Sequence, residues 1–264
     1  MTTASPSGSP PHSATWRRWG RAAGYIAGPV FLLQTVLFLL DVTGVLALQT
    51  GFVDTPAGVM EDLATYYVAA NERMHTIWWD PALRDSLGPM GYVALMVLVT
   101  AVVRVAGTRQ PRDEIAVLLV VLGGSLGALN DLMYLSYTRW WFHGGFRPTP
   151  DIVAFGTTME TIDNLGTYFQ RAGYLLLALG FTFLAPTLGR IRHGWRWLSL
   201  LARLEAAALV AWVLTDVAQT GTTRYIAAIA AGLLLGPALT ILAGHALATR
   251  QPVQEHALGK VQDP

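Results

Sequence analysis

The residues most able to do chemistry in this chain are ionisable side chains set inside long apolar runs. They are Asp41, Asp131, Arg171, Arg203, Glu205, Asp216 and His245. Such groups are costly in lipid and mark proton, ion or substrate sites by default. Asp41, Asp131 and Asp216 are expected to reach a similar depth as Arg171, together with Asn130, Tyr134 and Gln170. Three carboxylates beside one arginine leave charge unbalanced in a low-dielectric place. One carboxyl is then expected to keep its proton near neutral pH, as a general acid must. The bland alternative is that these aspartates form structural ion pairs with Arg171 and Arg224.

Helical spacing groups some of these residues. Glu160, Asn164, Thr167, Arg171 and Tyr174 follow a 4-3-4-3 pattern that puts them on one face. Thr157 and Glu160 have the spacing of a capping box, which predicts a helix start there. Glu205, Trp212, Asp216 and Gln219 also share a face, and Gln34 and Asp41 are seven apart. Arg203 and Glu205 are two apart and need different partners. Of nine tryptophans, only Trp212 falls mid-span; the others fit interfacial belts. Trp212, Tyr134 and Tyr174 are therefore the expected aromatic lining, since ring faces stabilise cations. Glu72 and His75 have an E-x-x-H spacing, with His143 elsewhere. A metal centre needs three or more convergent ligands, so no metal and no cofactor are assigned.

The elements that must position these residues follow from composition. The chain has 264 residues, 53% hydrophobic and 13% charged. The charged share is about half the ~25% of a soluble domain. The sequence predicts an all-α polytopic membrane protein, a six-helix bundle, with spans near 22–48, 86–106, 115–138, 166–188, 196–219 and 222–248. Pro29 and Pro237 predict kinks. Gly20, Gly24 and Gly28 repeat every four residues, and Gly123/Gly127 and Gly232/Gly236 form further pairs, which predicts close helix contacts.

Residues 1–15 read as a disordered tail, 16–249 as the bundle and 250–264 as a second tail. In the loop after the first span, Val59, Leu63, Tyr66, Tyr67 and Ala70 make the apolar face of an outer amphipathic helix. Basic residues number eleven on one side of the predicted spans and five on the other. That asymmetry predicts cytoplasmic termini in a plasma-membrane protein. The net charge of +1 offers no basic surface for nucleic acid. With no cysteine there is no thiolate chemistry, and the single lysine, Lys260, lies in the tail. The expected partners are the lipid bilayer and a lipophilic small molecule.

The stretch D-L-A-T-Y-Y-V-A-A-N-E-R (62–73) followed by S-L-G-P-M-G-Y (86–92) resembles a broad group of uncharacterised bacterial multipass membrane proteins. That likeness covers the first two spans and the loop between them, and it implies no activity. A second likeness is to small membrane-embedded terpene cyclases. These have a similar length, lack the metal motifs of soluble cyclases and depend on acidic residues in a helical bundle. No motif carries over residue by residue.

The first expectation is therefore an integral membrane enzyme acting on a lipophilic substrate by carboxylate acid–base chemistry, in its sharpest form an isoprenoid cyclase or isomerase. Asp131 or Asp216 would be the acid, with Asp41 as a third carboxylate. Trp212, Tyr134, Tyr174, Asn130 and Arg171 would line or anchor the substrate. Two other classes remain open: a proton-coupled carrier using the Glu205–Asp216 stripe, and a non-catalytic membrane partner or sensor whose polar cluster is structural.

Overall fold

The computed structural model describes residues 11–42, 79–107, 110–142, 152–191, 195–218 and 222–248. Side chains are described for 13–40, 82–107, 110–136, 160–191, 195–218 and 225–248. The predicted amphipathic helix near 59–70, the Glu72/His75 pair and His143 lie outside the described residues, as does the side chain of Asp41. Within the described residues there is no strand.

Among the described residues, seven helical elements make six crossings. They are α1 (Pro11–Val42), α2 (Trp79–Ala106), α3 (Pro111–Phe142), α4 (Ile152–Ile191), α5 (Trp197–Val217), α6 (Thr222–Ile229) and α7 (Gly236–Ala248). A π-helical turn, Ala230–Leu235, joins α6 to α7 as one sixth span. Six helices are long and apolar enough to cross a membrane. The protein is an all-α polytopic bundle.

Two helix starts differ from expectation. α1 begins at Pro11, inside the segment read as a disordered tail. Proline suits a first helical turn, where its missing N–H has no partner to lose. α4 begins at Ile152, so Thr157 and Glu160 lie within the helix and do not cap it.

Successive helices pack against each other, and α1 closes the ring against α7. The wall faces lipid: Leu118, Leu122, Leu129, Leu175, Leu179, Leu200, Leu214 and Leu234 are exposed on its outside. In water such a surface would be unstable; in a bilayer it is solvated.

Small residues set the closest approaches. Gly20, Gly24 and Gly28 all face α7. A Cβ at Gly24 would sit 2.6 Å from the Thr240 carbonyl oxygen and 2.8 Å from Gly244 Cα. Gly123 and Gly173 do the same between α3 and α4, each Cβ position falling 2.7 or 2.9 Å from the other's carbonyl. Backbone on both sides leaves nothing to rotate away. Gly24→Val should separate α1 from α7 and cost about 1–3 kcal/mol, the range for overpacking. Thermal unfolding in detergent checks this, with Ala22→Val on the exposed side of the same helix as control; equal melting temperatures would refute it.

The half of the bundle towards the α2–α3 and α4–α5 connections is apolar. There Leu98, Val102, Phe181, Leu184, Leu239 and Ala243 surround a cavity of about 10 Å³. It has room for at most one water. At that end Asp113 and Thr187 are both fully buried and hydrogen-bonded, Thr187 Oγ1 donating to Asp113 Oδ1 at 2.6 Å. This bond ties the start of α3 to α4. The opposite half is polar.

Pro237 shapes the sixth span. Its ring has no N–H and would collide with the carbonyl four residues back in a regular helix. The chain widens into the π turn immediately before it, and Gly236 N–H bonds to the Ala231 carbonyl five residues earlier. The expected kink is thus a local change of helix type.

Candidate functional site

Three helices converge on Asp131. α1 supplies Gln34, α2 supplies Gly88 and Tyr92, and α3 supplies Asn130 and Asp131 itself. Asp131 is 8% exposed and Asn130 5%. Gln34 Nε2 donates to Asp131 Oδ2 at 3.0 Å, and Asn130 Nδ2 donates to Oδ1 at 3.2 Å. Both donors are neutral amides. The carboxyl fits only because residue 88 has no side chain: a Cβ there would fall inside the Asp131 carboxylate. At the start of α2, buried Asp85 pairs with Arg84 at 3.2 Å, within electrostatic range of Asp131. Asn130 Oδ1 is buried without a partner among the described residues, facing Gly166 of α4. It is an orphaned acceptor beside the carboxyl.

A row of aromatic rings leads away from this carboxyl. Phe31 meets Tyr92 edge-on, with centroids 5.3 Å apart and planes at 67°. The Tyr92 and Tyr174 side chains lie within electrostatic range of each other. Tyr174 then meets Trp212 edge-on at 4.8 Å and 78°. Gln170 Nε2 donates to the Tyr174 hydroxyl at 3.4 Å. The row thus crosses from α1 through α2 and α4 to α5. Gly127 permits it, since a Cβ there would meet the Tyr92 ring.

Asp216 has a different setting. Arg171 Nε donates to its Oδ2 at 2.8 Å, and the two side chains are 26% and 15% exposed. This is a partly buried, charge-assisted pair between α4 and α5. Arg171 and Tyr174 lie one turn apart, so the ion pair and the aromatic row meet on the same two helices. Tyr134 turns to the margin, where its hydroxyl donates to Asp163 Oδ1 at 2.7 Å. The structure therefore brings Asn130, Asp131, Tyr174 and Trp212 around one connected group. It puts Arg171 and Asp216 in an ion pair beside that group and Tyr134 at its edge.

Several contributors do not stand out in the sequence. Tyr92 and Gly88 carry no polar anomaly that would mark them. Asp163 lies off the stripe that contains Arg171. Asp113 falls just before the predicted third span, although P-R-D-E is an ordinary acidic helix start. Glu205 shares the Trp212–Asp216 face by spacing, and the structure buries it at 5% exposure. Among the described residues its Oε2 has no hydrogen-bond partner. Among the described residues no group of three or more His, Asp or Glu is placed to hold a metal.

Comparison of this chain with protein-family models, with curated proteins and with solved structures finds no match to any of them.

Proposed function

We propose that this protein is an integral membrane enzyme that acts on a lipophilic substrate by carboxylate acid–base chemistry. Its most concrete form is a metal-independent isoprenoid cyclase or isomerase, resident in the plasma membrane with both termini cytoplasmic. The observation that carries this reading is the contrast between two carboxyls. Asp216 is neutralised by Arg171, whereas Asp131 is held by two amides at the head of an aromatic row. Carboxyls in such unlike environments take unlike roles.

In the proposed reaction, protonated Asp131 transfers its proton to an alkene carbon or an epoxide oxygen. The electron-poor carbon that results is stabilised over the faces of Tyr92, Tyr174 and Trp212. Loss of a proton from a neighbouring carbon closes the cycle, so product and substrate have the same mass. Gln34 and Asn130 hold the carboxylate in place between proton release and return. The 10 Å³ cavity in the apolar half is too small for an isoprenoid. The proposed reaction requires the substrate beside Asp131.

The test is incubation of the detergent-solubilised protein with prenylated and epoxidised lipids, read by mass spectrometry. Asp131→Asn should lower turnover at least 100-fold, the scale of a lost general acid, while leaving the melting temperature near that of the parent. Full turnover by this variant would refute the assignment. A second reading, a proton-coupled carrier, draws support from buried Glu205 beside a π turn, a feature frequent at functional sites. Proton uptake by proteoliposomes in the absence of any chemical product would favour it.

A further inference from the structure

Glu205 lies on α5, eleven positions before Asp216, about 16 Å away at 1.5 Å per residue. It is therefore a separate site from the Arg171–Asp216 pair. Three elements pack around it. α5 carries it. The sixth span presents the junction of the π turn with α7, where a Cβ at Gly236 would sit 3.1 Å from Glu205 Oε1 and 2.9 Å from the Ala231 carbonyl oxygen. On α4, Tyr174 lies within electrostatic range of both Glu205 and Asp131. No cation bonds to Glu205 among the described residues, and Oε2 is unpartnered.

An ionised carboxylate buried without a partner is among the most costly arrangements a protein can hold. A neutral carboxylic acid at the same place costs far less. Glycine at position 236 and the widened turn together make the room, and such turns are frequent at functional sites. We infer that Glu205 binds an exchangeable proton and is a second acid–base group, the partner of Asp131. The role as a partner of Asp131 rests on the enzyme reading above; the bound proton does not.

Dicyclohexylcarbodiimide distinguishes the two. It is apolar, partitions into the bilayer and reacts with protonated carboxyls. The acid proton passes to one carbodiimide nitrogen while the carboxyl oxygen bonds to the central carbon. Migration of the acyl group to nitrogen then leaves a stable N-acylurea, with the whole reagent added and nothing lost. The full-length protein in lipid vesicles should be labelled on the peptide containing Glu205. Tandem mass spectrometry should place the mass there, and labelling should fall at high pH as the carboxyl ionises. Labelling should persist in Asp131→Asn and disappear in Glu205→Gln.

Absence of label at Glu205 in the wild-type protein, with other carboxyls labelled, would overturn the inference. So would labelling at Glu205 that does not change with pH. The site mapping needs only the parent chain, so misfolding of a variant does not affect the outcome. Glu205 labelling in a protein that turns over no prenyl or epoxide substrate would refute the enzyme reading and leave the proton site standing.

Discussion

Alanine at position 88 should abolish the activity assigned to Asp131 and lower the stability of the bundle. In an exposed helix, Gly→Ala is favourable by about 1 kcal/mol, because the chain loses less entropy on folding. Here a Cβ would fall inside the Asp131 carboxylate and lie 2.8 Å from Gln34 Nε2. The aspartate side chain has two torsions and could swing aside, but only by leaving Gln34 and Asn130. Each of those hydrogen bonds contributes about 0.5–1.5 kcal/mol, and an unpartnered buried carboxyl costs more. The steric term therefore exceeds the propensity gain, for a net loss of about 1–3 kcal/mol. Turnover should fall as far as in Asp131→Asn, since the carboxyl has left its position. Because both changes act at one place, the double variant should be no worse in turnover than either single one. A Gly88→Ala protein with parental turnover and melting temperature would sink both the geometry and the role given to Asp131.

Gly88 shows where sequence reading reaches its limit. The six crossings are legible because each is a long apolar run, and lipid leaves the backbone few alternatives to a helix. Their ends are less legible. α1 starts at Pro11 and α4 at Ile152, well outside the apolar centres, because backbone hydrogen bonding continues a helix through polar residues. Asp131, Asp216 and Arg171 stand out because ionisable residues are rare inside such runs. Which of them pair is a matter of helix rotation, and one-dimensional spacing leaves the partner across the interface open. Tyr92 is one tyrosine among nine and Gly88 one glycine among 26, so composition cannot single them out. The glycine repeat of α1 is legible because regular spacing survives without knowledge of the partner helix. Pro237 marks a disturbance in the sixth span, but the packing of Glu205 against the adjoining Gly236 appears only in the structure.

The ion pair between Arg171 and Asp216 decides how the second sequence-derived carboxyl should be understood. Removing the arginine, as in Arg171→Gln, leaves a carboxylate in a place chosen for a pair. A fully buried pair broken this way costs about 3–5 kcal/mol, and an exposed one about 0–1 kcal/mol. These side chains are 26% and 15% exposed, and the 2.8 Å contact is charge-assisted. The expected loss is therefore intermediate, about 2 kcal/mol, seen as a lower melting temperature in detergent. Asp216→Asn should cost a similar amount, because the guanidinium is then left alone. The reversed pair, Arg171→Asp with Asp216→Arg, restores opposite charges across the α4–α5 contact and should recover at least half of the loss. It should also recover turnover, since Asp131 and the Tyr174–Trp212 contact lie outside the exchange. Recovery of stability without turnover would mean that Asp216 takes part in the reaction, and the acid–base assignment would move from Asp131 towards α5. Failure to recover either would deny the pair its structural role. In both cases the contrast between a neutralised Asp216 and an amide-held Asp131, on which the proposed function stands, would be lost.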